Sequence, residues 1–372
     1  MESSPKISNS YNNTHEHGET LLPGLPDHLA QRCLALVPPS ILFSVSHTWR
    51  RLIYSTSFPP FFSLYALLFP LRNGAQVYTV NSLEFFSLDP ISSTWQRLPD
   101  PPSESPLNLL HRHPSFLSRK LPVQSLTVSN HLVLMTGTTH HFVPALTRPL
   151  VFHPDTKLWF FGPPFSIPRR WCATGSVRET VYLASGVASD YRGDVARSME
   201  QWNMESKREN WGWEKMARLK DGRFSREAIE AVGFKGKLCM VNVKGNAVKE
   251  GLVYDVKDDK WLGMPEGMLE GWTGPVAAMK EDVLYVVDER KGTLCEYDGG
   301  KDCWRQVIEL EELKFAEQIT AGKGKICAVC ENGERLVVVD VLANPARVWI
   351  VKPPSGLQLI AVHILPRMSR QE

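Results

Sequence analysis

Residues 83–99 read LEFFSLDPISSTWQRLP, and degraded copies of this stretch recur almost to the end of the chain. An apolar, strand-like run meets an Asp-Pro turn, and six residues after Asp89 stands Trp95. The same spacing separates His153 from Trp159, Asp255 from Trp261 and Asp298 from Trp304, while Asn203/Trp211 and Asp340/Trp349 stretch it to eight and nine residues. Successive Trp positions in these six copies lie 43 to 64 residues apart, a period that signals a repeat architecture. The repeated residue types have physical reasons. Asp at a turn accepts backbone N–H groups and fixes a hairpin. Trp fills the wedge between neighbouring sheets and buries roughly 150–250 Å², so losing one should cost about 3–5 kcal/mol.

Between the copies the pattern is of strands. Leu132–Thr136, Val181–Ser185, Leu238–Val241, Val283–Val287 and Lys325–Val329 are short and apolar, as strands covered on both faces are. Each unit reads as an inner strand, one of these second strands, a third ending at the Asp turn, and a Trp-bearing outer strand. Four-stranded sheets packed face to face around an axis make a β-propeller, here with six blades over residues 61–366 and a tail at 367–372. The first unit is short of an inner strand, and after Trp349 a spare strand, Leu357–Leu365, is left over. Pairing the two closes the ring and removes two exposed sheet edges.

Composition narrows the function. Hydrophobic residues at 43%, charged residues at 22% and a formal net charge of +2 in 372 residues give no pull toward nucleic acid or membrane. Seven Cys without regular spacing argue against a disulfide framework and for reduced thiols, hence a cytoplasmic or nuclear protein. The first residues, MESSPKISNSYNNTHEHGE, have no signal-peptide core, and no later apolar run reaches about eighteen residues.

Residues 1–20 are polar and are expected to be disordered; residues 21–58 change to apolar residues at helical spacing. Pro26-Asp27 opens a first helix whose Leu29, Cys33, Leu36 and Val37 share one face. Pro38-Pro39 stops it, a short segment from Ser40 to about Ser44 follows, and a third helix over Val45–Ser55 turns Val45, Trp49, Leu52 and Ile53 inward. Three helices in under forty residues leave more apolar surface than they can cover, which calls for a partner.

These residues carry a resemblance. L-P-x-x-L at Leu25–Leu29, C-L-A-x-V-P at Cys33–Pro38 and S-x-x-W-R-x-L at Ser46–Leu52 resemble an F-box, with His47-Thr48 standing where many members have Cys-Lys or Ser-Arg. The repeats are similar to the kelch-type propeller found behind plant F-boxes, although Thr136-Gly137, Ser185-Gly186 and Val287-Asp288 stand where a Gly-Gly doublet would fall. The resemblance implies a Skp1-like adaptor bound through Leu25, Pro26, Leu29, Cys33, Leu36, Val45, Trp49 and Leu52, and through it a cullin and a RING subunit. It implies a non-catalytic adaptor without cofactor, whose propeller holds an unknown target protein for ubiquitination.

If the four strands of each blade alternate in direction, loops between second and third strands and those between blades emerge on one face, opposite the Asp turns. The long segments Pro101–Leu121, Gly137–Pro149, Gly186–Met199 and Val243–Gly251 all fall there. They and the inter-blade segments carry Arg148, Arg169, Arg170, Trp171, Arg192, Arg223, Arg226 and Trp272, an Arg-and-aromatic mix of the kind that anchors protein interfaces, so this face is expected to dock the target. Interleaved Asp190, Asp194, Asp221 and Glu227 point to a mixed or modestly acidic partner. Other constellations are weaker. Cys327 and Cys330, three apart on a strand, point to opposite faces and read as core. His111, His113, His140 and His141 lack a completing ligand set and read as surface residues, so no metal is expected. A kelch-type propeller enzyme, or a scaffold that never meets a ligase, are the competing readings; an enzyme would need convergent titratable groups that the pattern does not supply.

Overall fold

The computed structural model describes residues 20–55, 57–59, 61–71, 79–102, 107–112, 123–191, 193–207, 211–226, 228–244 and 248–368. The described residues form two compact units, one up to Phe61 and the other Phe62–Met368.

The smaller unit has three helices, α1 (Asp27–Leu34), α2 (Pro39–Val45) and α3 (His47–Tyr54). Pro39 occupies the first turn of α2, where its missing N–H goes unneeded, so the Pro pair starts a helix as well as separating two. Ser46 ends α2 and caps α3, its Oγ accepting the Trp49 N–H at 3.1 Å. Val45 therefore belongs to α2 and not, as its spacing suggested, to α3.

The larger unit is a propeller of six four-stranded antiparallel sheets. Blade 1 pairs Leu357–Pro366, Phe62–Pro70, Glu84–Asp89 and Thr94–Arg97; blade 2 pairs Val123–Val128, His131–Gly137, Leu150–His153 and Leu158–Phe161. Blade 3 is Ala173–Val177, Thr180–Ala184, Met199–Asn203 and Glu214–Lys215; blade 4 is Ala228–Phe234, Lys237–Lys244, Gly251–Asp255 and Lys260–Gly263. Blade 5 is Val276–Met279, Val283–Asp288, Thr293–Asp298 and Cys303–Glu309; blade 6 is Gln318–Gly322, Lys325–Cys330, Arg335–Asp340 and Arg347–Val351. Each inner strand touches the inner strand of the next blade all the way round. They come close: a Cβ on Gly233 would stand 1.9 Å from the Ser176 carbonyl oxygen, so only glycine fits there. The core is correspondingly divided into six apolar clusters, one between each pair of neighbouring blades.

The repeated motif holds this ring in two ways. At the turn before each outer strand, the side chains of Asp89, His153, Asn203, Asp255, Asp298 and Asp340 each accept a backbone N–H two or three residues on. In the four copies that keep the six-residue spacing, the residue two before the Trp takes a left-handed φ of 45–57°: Ser93, Lys157, Asp259 and Asp302. The spacing is thus the length of a capped turn with one left-handed residue. The indole N–H then reaches back to the preceding blade's exit segment: Trp95 to the Lys352 carbonyl, Trp159 to Pro99, Trp261 to Ala217 and Trp304 to Met268, at 2.7–3.1 Å. In blades 4 and 5 the clamp is double, because Asp259 accepts the Ala217 N–H, and Asp302 accepts those of Gly267 and Met268. The Tyr297 hydroxyl and these amides hold the Asp302 carboxyl below its ordinary pKa.

Two expectations need correcting. In blade 3 the clamp is made by Trp213, whose Nε1 donates to the Pro163 carbonyl at 3.1 Å, while Trp211 stacks on Phe160 with centroids 6.1 Å apart. The extra residues before that outer strand pushed the working Trp two positions beyond the one the spacing selected. The repeated Trp side chains are also only half-buried, Trp349 being 40% exposed, whereas the deeply buried indoles are Trp202 and Trp272. The outer strand lies at the rim, so each Trp covers less area than a wedge-filling residue would.

Ring closure follows the spare-strand expectation. Leu357–Pro366 runs antiparallel to Phe62–Pro70 and becomes the innermost strand of blade 1. Gln318 of blade 6 locks it sideways, Oε1 accepting the Val362 N–H and Nε2 donating to the Val362 carbonyl at 3.0 and 3.1 Å. On the other side His363, 4% exposed, sets Nε2 2.9 Å from Ser125 Oγ and Nδ1 3.2 Å from Thr127 Oγ of blade 2. Burial pushes its pKa down to about 4.

Three outcomes follow from this architecture. Trp304→Ala should cost about 2–3 kcal/mol, a partial burial plus a carbonyl bond, and Trp349→Ala at most about 1 kcal/mol, measured by chemical denaturation. Deleting residues 355–372 strips blade 1 of its inner strand, and the protein should become insoluble; a soluble, folded truncation would refute the closure. His363 is neutral when folded yet titrates near 6.5 when unfolded, so stability that is full above pH 6.5 drains as pH falls toward 4, by about 3 kcal/mol. His363→Gln should flatten that segment of the melting-temperature profile.

Candidate docking surfaces

In the helical unit, Ala30, Leu34, Leu42, Leu52, Ile53, Tyr54 and Phe58 form the buried set. The apolar face shared by Leu29, Cys33 and Leu36 points outward: Leu29 is 40% exposed, Leu36 87%, and Cys33 is exposed too. Leu25 at 39%, Ile41 and Val45 add to this uncovered apolar surface, Val45 contrary to the inward position its spacing suggested, and Pro26 is exposed beside them. Helical spacing identified an apolar stripe on α1 but could not say which of its two sides the other helices would take. The small Ala30 and the neighbouring Leu34 took the inside. Trp49 is half-buried and donates from Nε1 to the Leu21 carbonyl at 2.8 Å, which ties the entering chain to α3. Leu52 at 6% exposure is core and offers nothing to a partner. Of the eight adaptor-facing candidates, Leu25, Pro26, Leu29, Cys33, Leu36 and Val45 are thus available, and Ile41 was missed although its helix was recognised.

On the propeller, antiparallel pairing throughout places the second-to-third and inter-blade loops on one face, as alternation of direction requires. There the loops build a second layer. Thr79–Ser82 of blade 1 pairs with Asn108–Arg112 from the link to blade 2, and Leu110 donates to the Thr138 carbonyl of blade 2. Arg169–Arg170, between blades 2 and 3, pairs with Val187–Ala188, and the link between blades 4 and 5 is a short helix, Glu266–Gly271.

The eight docking candidates separate sharply. Arg148 is exposed, its guanidinium 5.2 Å from the Phe161 ring centroid. Arg223 is exposed and paired with Asp221 and Glu250, holding the Asp221 carboxyl below its ordinary range. Trp171 is half-buried with a left-handed φ of 54°. Arg192 and the side chain of Arg226 lie outside the described residues. Arg169 and Trp272 correct the expectation outright. At 1% exposure, Arg169 donates to Glu200, Ser198 Oγ and the carbonyls of Ser185 and Ile167, a strut that joins an inter-blade link to blade 3. Trp272, also 1% exposed, donates to Glu230 Oε2 and packs between blades 4 and 5. Arg170, at 0% exposure, lies between the rings of Trp171 and Tyr191. Residue type marked all three as interface anchors; burial was decided by loop pairing that leaves no local pattern.

Other candidate chemistry is quiet. Cys327 and Cys330 are buried free thiols whose pKa burial pushes up to about 12, as core cysteines behave. His140 and His141 stack on one another at 3.7 Å, while the His111 side chain and His113 lie outside the described residues. Among the described residues no three His, Cys, Asp or Glu side chains gather as a metal site. A cavity of about 570 Å³ runs along the axis, lined by all six inner strands and by polar groups such as Gln124, Thr174, Ser176 and Thr320.

No family model matches the chain. It is 48% identical over 367 residues to the F-box/kelch-repeat protein SKIP25 of Arabidopsis thaliana, covering 96% of this chain and 92% of that protein. A second F-box/kelch-repeat protein of the same plant is 25% identical over 363 residues, covering 82% of this chain and 74% of its own length. The F-box protein AFR, also from Arabidopsis thaliana, is 23% identical over 290 residues, 74% of this chain and 70% of that protein.

Proposed function

The chain belongs to the F-box/kelch-repeat family, and from that premise we propose that it is the target-recruiting subunit of a Skp1–cullin–RING ubiquitin ligase. F-box and propeller together support a substrate-adaptor role. The observation that carries the finer reading is the surface of the helical unit. Leu25, Leu29, Leu36, Ile41 and Val45 stand 39–87% exposed on fewer than thirty residues, which is far more uncovered apolar area than so small a unit leaves without an occupant. A Skp1-like adaptor is that occupant. The contact these side chains offer is driven by burial.

The propeller supplies the other half. Six blades clamped by capped turns form a rigid frame, and the second layer of loops on one face presents Arg148, Trp171, Tyr191 and Arg223 at fixed positions. In this reading the face holds a target protein so that its lysines meet a ubiquitin-charged enzyme carried by the cullin and RING subunits. The chain contributes position and no covalent chemistry. Seven free cysteines suit a reducing compartment, so we place its work in the cytoplasm or nucleus.

Leu25→Asp combined with Leu29→Asp puts two carboxylates on the outward stripe without touching the buried set. Co-purification with a Skp1-like adaptor should fall at least about tenfold while the circular dichroism spectrum stays unchanged. Undiminished binding by the folded double variant would refute this docking mode.

A further inference from the structure

One guanidinium on the loop face is buried and left unanswered. Arg170 has 0% exposure, and Nε, Nη1 and Nη2 all lack a hydrogen-bond acceptor. Its sequence neighbour shows the contrast: Arg169 is equally buried, but its nitrogens reach Glu200, Ser198, Ser185 and Ile167. Arg170 instead has its guanidinium carbon 4.6 Å from the Trp171 ring centroid and 5.2 Å from that of Tyr191. Two aromatic faces favour the cation but accept none of its five N–H groups in the plane where a carboxylate would take them. Burial pulls the guanidinium below its ordinary range, and the neighbouring Tyr191 side chain opposes that pull. Buried donors in native proteins find partners as a rule, and each exception calls for an explanation.

The two walls are unusual as well. Trp171 and Tyr191 have φ of 54° and 56°, a region that bulky residues seldom enter. Tyr191 remains 70% exposed, so the outer wall of the sandwich is also a surface side chain.

We propose that Arg170 reads an acidic side chain, Asp or Glu, of the docked target: the carboxylate displaces Tyr191 from the guanidinium and takes two parallel N–H···O bonds, with Trp171 remaining as the inner wall. This rests on the loop face being the target-docking face and names what that face recognises. A single carboxylate matches the site because Glu200 already pairs with Arg169, so Arg170 offers one guanidinium without a carboxylate of its own. A phosphate dianion would need a second. The planar fork of arginine also suits a bidentate carboxylate, which lysine cannot imitate.

The test uses the full chain co-purified with a Skp1-like adaptor and a fluorescein-labelled octaglutamate peptide, with octaglutamine and a phosphoserine octapeptide as comparison probes. Octaglutamate should bind at least about tenfold more tightly to the wild type than to Arg170→Met or Arg170→Lys, and octaglutamine should not bind. Arg170→Met should melt at or above the wild-type temperature, because it removes an unanswered buried charge. Equal octaglutamate binding by Arg170→Met, no binding by the wild type, or preference for the phosphoserine peptide would overturn the assignment. A melting temperature several degrees lower in Arg170→Met would also overturn it, by making the guanidinium a structural pillar. Adaptor retention is read separately in every sample, so loss of the adaptor from the wild type refutes the ligase reading and not this one.

Discussion

A tryptophan N–H on one blade donating to a carbonyl on the exit of the blade before is the contact on which the propeller depends. It recurs from Trp95, Trp159, Trp213, Trp261 and Trp304. Its value lies in direction. The six apolar clusters between blades supply most of the stabilising burial, but burial is indifferent to small rotations of one sheet against the next. A hydrogen bond from a half-buried indole at the rim fixes that rotation. The capped turn in front of each Trp sets where the indole begins, so turn chemistry and blade angle are coupled within one short segment.

A ring built from such steps has one joint that no hairpin can make. The chain solves it with Leu357–Pro366, which lies beside Phe62–Pro70 and is held by Gln318 on one flank and His363 on the other. Both locks are polar, and both sit where inner strands crowd the axis. Ile360, Ala361 and Leu365 of this strand enter the cluster between blades 1 and 2, Leu359 and Val362 that between blades 6 and 1, and the directional bonds fix the strand's position on top of that packing. The consequence is a frame whose rim and joint are both specified by hydrogen bonds, and whose loops can vary on one face without moving the blades.

The two surfaces proposed for docking differ in physics. On the helical unit, exposed leucines and a valine offer area and little direction, which suits a constant adaptor. On the propeller, arginines beside aromatic rings offer direction and charge, which suits discrimination among targets. Arg169, bonded to Glu200, Ser198, Ser185 and Ile167, and Arg170, held only against Trp171 and Tyr191, put the proposed boundary between frame and reader within two consecutive residues.

The sequence by itself determined the number of blades, the second strands, the capped turns and the spare closing strand, because each rests on local pattern: alternation, turn residues and a fixed spacing to Trp. It also marked the helical segment and its apolar excess. Tertiary structure alone decided which side of α1 faces out, that Trp213 and not Trp211 completes blade 3, and that Arg169 and Trp272 are masonry. The reason is common to all three. Residue type fixes what a side chain can bond, whereas burial depends on which distant segment arrives to cover it. For α1 that segment is the other helices, for Trp272 the neighbouring blade, and for Arg169 the paired loop Val187–Ala188, which has too few residues to show a period of its own.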